Sequence, residues 1–75
     1  MATLHSLKPE KVIKAFERAG WINKGQRGSH VKLVKHGNPN ILSIPVHKRK
    51  SVKMGLLKDQ IKKAGSREEE FLKLL

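Results

Sequence analysis

Between Val31 and Val46 alternate positions on either side of a Gly37-Asn38-Pro39-Asn40 turn are apolar, Val31 and Leu33 before it and Leu42, Ile44 and Val46 after it. A period of two around such a turn predicts an antiparallel hairpin with one face buried, from about His30 to His36 and from Ile41 to Val46. If Gly37 to Asn40 is a four-residue loop, His36 faces Ile41, Val34 faces Ser43, Lys32 faces Pro45 and His30 faces His47. The outward face then carries His30, Lys32, Ser43 and His47. A slip of one residue would bury the histidines and expose the aliphatics, so the assignment of faces is strongly constrained. Pro45 lacks an N–H and places the second strand at a sheet edge.

Helical patterns flank the hairpin. Ser6 or Lys8, with Pro9 in the first turn, opens a segment in which Val12, Ile13, Phe16 and Ala19 recur at helical spacing, and Gly20 stops it. Trp21 and Ile22 start a short strand that is expected to break at the loop Gly25 to Gly28, with Trp21 as a core anchor. After the basic run His47 to Lys50, Ser51 is placed to cap a second helix with the stripe Val52, Leu56, Leu57, Ile61 and Ala64, ended by Gly65. Ser66 and Glu69 have capping-box spacing for a short third helix containing Phe71, Leu72, Leu74 and Leu75. The expected fold is α+β, an αβββα arrangement with a three-stranded antiparallel sheet packed on two helices and a short extra C-terminal helix.

With 75 residues the chain has room for a single domain, 1–75, and one small core, which leaves no space for a separate cofactor domain. It has no cysteine, which excludes disulfides and zinc-thiolate sites and agrees with a reducing compartment. Met1 to Leu7 lacks the apolar run of a signal peptide, and no stretch is long enough to span a bilayer. Neither helix has the aromatic apolar face of an interfacial anchor. A cytoplasmic protein with no membrane partner is the expectation.

Charge narrows the partner. Seventeen basic residues stand against six acidic ones, a formal net charge of +11. From Trp21 to Lys58 there is no Asp or Glu, while Lys24, Arg27, Lys32, Lys35, Lys48, Arg49, Lys50, Lys53 and Lys58 all fall there. Charge that merely solubilises a surface is normally of mixed sign, so an acid-free centre points to a polyanion, and nucleic acid is the default. Lys24 and Arg27 flank the imidazole-bearing face on one side and Lys48, Arg49 and Lys50 on the other.

Ala19-Gly20-Trp21, Gly28-Ser29-His30, Ile44-Pro45-Val46-His47, Gly55-Leu56-Leu57 and Ala64-Gly65 fall in an order and spacing that resemble the HicA toxin family over nearly the whole chain. That resemblance implies a fold like the double-stranded-RNA-binding domain, cleavage of mRNA, and inhibition by a HicB-type antitoxin. It implies that the catalytic histidine is the one in Gly-Ser-His, here His30. Many relatives have a second histidine directly after it, where this chain has Val31, and an apolar residue after the second Ala-Gly, where this chain has Ser66.

Histidine suits RNA cleavage because the ribose hydroxyl must lose a proton while the leaving oxygen gains one, and an imidazole titrating near neutrality can do either. Lys24, Arg27, Ser29, Lys32, His47, Lys48, Arg49 and Lys50 are the expected RNA-binding residues. His47 could pair with His30 in proton transfer, but the cations after it favour phosphate binding. His5 and His36 read as surface positions. With no helical His pair and no carboxylate near the histidines, neither a metal nor a cofactor is expected. The competing functions are a non-catalytic RNA-binding module on the same fold and a DNA-binding helix-turn-helix with Ser51 to Ala64 as recognition helix. The Ile41 to Val46 strand and the lack of a compact trihelical core argue against the latter.

Overall fold

The computed structural model describes residues 6–47 and 50–75. The elements run α1 (Pro9–Arg18), β1 (Ile22–Arg27), β2 (His30–Lys35), β3 (Asn38–Pro45), α2 (Met54–Lys63) and α3 (Glu68–Lys73), the αβββα arrangement followed by a short helix. The three strands form one antiparallel sheet in the order β1-β2-β3, with β2 central. Both longer helices lie on one face of it: α1 packs on β1 and β3, α2 on β3, and α3 on α2. No helix among the described residues is long and apolar enough to cross a membrane.

The period-two reading of the hairpin assigns the faces correctly. Val31, Leu33, Leu42 and Ile44 are buried, and they meet Val12, Ala15 and Phe16 of α1, Leu57 and Ile61 of α2, and Phe71 of α3 in a single core. Trp21 anchors it just before β1, with its ring edge-on to Phe16 at 6.4 Å. Each fully buried aliphatic or aromatic side chain contributes roughly 1.5–3 kcal/mol through the water it sheds.

The register differs from expectation by two residues. His30 lies opposite Pro45, Lys32 opposite Ser43 and Leu33 opposite Leu42, so His47 is not across from His30. The turn is tighter than a four-residue loop because Lys35 already pairs with Asn38, which leaves His36 and Gly37 as the turn, Gly37 having φ +87°. The surplus residues of β3 are absorbed in an irregularity before Leu42. There Asn38 Oδ1 accepts the Asn40 N–H at 2.9 Å, and the side-chain amides of Asn38 and Asn40 donate to the Lys63 carbonyl at 3.3 and 3.0 Å. These bonds satisfy an open carbonyl at the end of α2 and tie the hairpin tip to it.

Three local expectations are corrected. β1 does not break at Gly25; it continues to Arg27, and only Gly28 and Ser29 form the turn into β2. Ser51 does not cap α2, which starts at Met54 behind an N-cap Lys53 with no side-chain bond. Val52 instead bridges to Leu7, its N–H donating to the Leu7 carbonyl at 2.6 Å, so the segments before the two long helices pair with each other. The buried stripe of α2 is therefore Leu57, Gln60 and Ile61, with Leu56 exposed. Ser66 is not the cap of α3 either. Arg67 holds that position, with its N–H donating to Glu70 Oε1 at 3.2 Å. The arginine side chain has no acceptor to return the bond.

Gln60 is 3% exposed, a polar residue inside the stripe. Its Oε1 accepts the Ser43 N–H at 3.0 Å, so α2 takes up a donor of edge strand β3 that β2 does not use. Gln60→Leu is expected to leave that N–H without a partner and to cost about 1–3 kcal/mol. Urea unfolding measures it, and an unchanged midpoint would show that the bond adds nothing.

Candidate nucleic-acid interface

The face of the sheet turned away from the helices carries the chemistry. On β2 it presents His30, Lys32 and Val34, the residues alternating with the buried Val31 and Leu33. His30 is the first residue of β2 and is exposed, flanked by Arg27 on β1 and Pro45 on β3. Lys32 is half-buried, and its Nζ donates to Ser43 Oγ at 3.1 Å. That bond fixes an ammonium group beside the imidazole's row.

A bulge decides which residue of β1 stands next to His30. Asn23 pairs with Leu33 and Gln26 with Val31, so Lys24 and Gly25 together oppose the single residue Lys32. Asn23 Oδ1 accepts the Gly25 N–H at 2.7 Å, and Gly25 takes φ +101°, a conformation that glycine adopts without strain. Without the extra residue Gln26 would oppose His30. With it, the parity of the strand flips and Arg27 does. Gly28, at φ +58°, then turns the chain tightly into β2.

Lys24 and Arg27 thus stand on a strand and not in a loop, and they line a shallow depression on the outer face with Gly25, Lys32, Val34 and Ile41. No ion pair among the described residues engages Lys24, Arg27 or Lys32. The pairs that do form lie on the helices, Lys63 with Asp59 at 3.4 Å and Lys58 with Glu68 at 3.9 Å. The field of the outer face is accordingly uncompensated.

The remaining expected residues scatter. Ser29 is half-buried in the turn, and its carbonyl accepts the Val46 N–H at 2.6 Å. His47 lines a separate cleft with Lys8, Pro9, Glu10, Gln26, Val46, Lys50 and Ser51. Against expectation, a carboxylate, that of Glu10 in the first turn of α1, therefore stands in the cleft of one histidine, although no cluster of three metal-ligating side chains forms among the described residues. The two-residue register shift puts Pro45 and not His47 opposite His30. His36 is exposed in the hairpin turn. Lys48, Arg49 and His5 lie outside the described residues. What sequence reasoning missed is an apolar strip on the outer face. Ile22 pairs with Val34 and is 57% exposed, and Ile41 is 58% exposed. Val34, in phase with His30 and Lys32, was the signal for it.

A family model described as the HicA toxin of bacterial toxin-antitoxin matches residues 9–66, most of the chain. The chain belongs to the HicA toxin family. It is therefore of the toxin kind in a toxin-antitoxin pair, with a cognate antitoxin as partner. A search of the curated proteins finds no match. The region matched to HicA begins with α1 and ends just before α3, so it contains the whole sheet with His30 and the bulge, and leaves Phe71 outside.

Proposed function

We propose that this HicA protein is an mRNA-cleaving endoribonuclease in which His30 moves the protons and the outer sheet face holds the RNA, and that a HicB-type antitoxin neutralises it. The observation that carries this reading is the position of His30: exposed, on the central strand, in a row with Lys32 and across from Arg27. A proton-transfer group must reach the ribose hydroxyl while the adjacent phosphate is held, and an imidazole with Arg27 across from it and the Ser43-bonded Lys32 beside it meets both needs. Arg27 and Lys32 are suited to the phosphate's charge, including the charge that develops as the 2′-oxygen attacks. The reading assigns no step to a metal or cofactor. Incubating the purified protein with RNA of defined sequence tests it, and intact RNA at the end of the assay would leave a non-catalytic RNA-binding module.

The antitoxin comes from the family, and charge suggests how it would act. A face with uncompensated cations is blocked most directly by a partner that brings carboxylates to it, and association of that kind is fast and weakened by salt.

RNA held through phosphates makes binding salt-dependent. Log affinity is expected to fall with log salt at a slope of about 0.7 per phosphate neutralised on a single strand. Replacing Lys24 and Arg27 with alanine should lower that slope by about 0.7 for each phosphate no longer neutralised, while weakening all sequences alike. Fluorescence anisotropy over a salt series reads it, and a slope unchanged in the double variant would remove these two residues from the interface.

A further inference from the structure

The outer face is not uniformly polar, and its apolar part has no role in proton transfer or phosphate binding. Ile22, Val34 and Ile41 form an aliphatic strip at the end of the sheet away from His30, and Val34 and Ile41 floor the depression whose rim is Lys24, Arg27 and Lys32. Two isoleucines left more than half exposed beside a valine are costly on a free protein, and the depression that Ile41 lines holds three cations and no carboxylate. A ligand that fits has a flat apolar body joined to an anion, which is the chemistry of a nucleotide.

We propose that this depression is a nucleotide subsite: one base of the RNA lies on Val34 and Ile41, its phosphate lies on Lys24, and Arg27 and Lys32, which line the same depression, lead from there to the phosphate beside His30. The proposal rests on the reading of the outer face as the RNA site and adds where a flanking base goes. Val34 is four residues along β2 from His30, about 13 Å at ~3.3 Å per residue, so the base held there is not the one at the cut but a neighbour. The lining side chains offer donors only from the cations, which phosphate occupies, and no acceptor at all. The floor therefore senses how much apolar surface a base presents and not the pattern of its edge, so it tolerates sequence, as stacking platforms for single strands do, and favours the larger purines for the area they cover. The bulge at Lys24 and Gly25 is what brings a cationic rim to this floor.

The test uses the full chain and an RNA whose cut has first been mapped. Single abasic substitutions are walked along the RNA, and binding is measured by anisotropy with the His30→Ala protein so that the RNA stays intact. One abasic position flanking the cut should weaken binding by about fivefold, the weak end of what an aromatic stacking platform gives, since this floor is aliphatic. In the proteins that also carry Ile41→Ser or Val34→Ser the same abasic position should cost less than about twofold, because the base has already lost its floor. Ile41 is exposed, so its replacement leaves the fold intact, which circular dichroism checks. RNA that binds with no position-specific abasic penalty, or a penalty equal in all proteins, overturns the subsite and leaves the catalytic reading standing. If Ile41→Ser loosens the antitoxin and leaves the abasic penalty unchanged, the strip is a protein-docking surface and the subsite is likewise overturned. Absence of any binding to unmodified RNA would overturn both readings together.

Discussion

Replacing His30 with alanine should lower RNA cleavage by about 10² to 10⁴ while leaving the fold and RNA affinity nearly unchanged, the usual loss when a general acid or base is removed. The two halves of that expectation come from different features. The imidazole is exposed at the start of β2 and takes no part in the core of Val31, Leu33, Leu42 and Ile44, so its removal costs little stability. Binding rests on Lys24, Arg27 and Lys32, none of which it holds in place, since Lys32 is fixed by Ser43 and β1 is set by its own bulge. Loss of cleavage with retained affinity therefore separates proton transfer from phosphate binding. His47→Ala provides the contrast: His47 is not the cross-strand partner of His30 and lines a cleft to which His30 does not contribute, so its loss should cost far less. A folded His30→Ala protein that cleaves at the normal rate would end the catalytic assignment. Comparable losses from both variants would mean that the two imidazoles share the work although they are not cross-strand partners.

Phe71→Ala should destabilise the domain by about 3–5 kcal/mol, the range for emptying the site of a buried phenylalanine. The residue belongs to α3, a short helix beyond the region matched to the family, and could be taken for an ornament. Its ring is fully buried, with its centroid 5.0 Å from that of Phe16, and Phe16 in turn meets Trp21. The three rings run from α3 through α1 to the start of β1, so removing the outermost opens a cavity against the central one. Arg18 reinforces the seam by donating from Nη1 to the Leu74 carbonyl. Total stabilities are about 5–15 kcal/mol, and a chain of this size has a small core, so the variant should be substantially unfolded near body temperature. Each kcal/mol corresponds to roughly 4–8 °C in Tm for a domain of this class, which thermal unfolding resolves easily. Glu69→Ala on the exposed side of the same helix should shift stability by less than about 0.5 kcal/mol. A Phe71→Ala protein that melts with the wild type would show that α3 is not part of the core.

The order of elements and the assignment of sheet faces were legible in the chain because both are set by short-range periodicity. Alternation from Val31 to Val46 specifies which side of each strand is apolar, and a register error of two residues preserves that parity. His30 and Lys32 were therefore placed on the open face correctly even though their partners were not. The partners depend on interactions remote in sequence. The tight turn at His36 and Gly37 leaves β3 with residues to spare, and the amides of Asn38 and Asn40 hold that irregular stretch against the last carbonyl of α2. Nothing within the hairpin itself announces that contact. Caps were misplaced for a similar reason: Ser51 has the chemistry to start a helix, but Val52 gains more by bridging to Leu7 and burying its side chain, which postpones α2 to Met54. The charge of the acid-free centre was visible as composition, whereas its concentration beside His30 was decided by a single extra residue in β1. The bulge at Lys24 and Gly25 inverts the strand's parity and turns Arg27, not Gln26, toward the imidazole, because a two-against-one pairing shifts every later side chain to the opposite face.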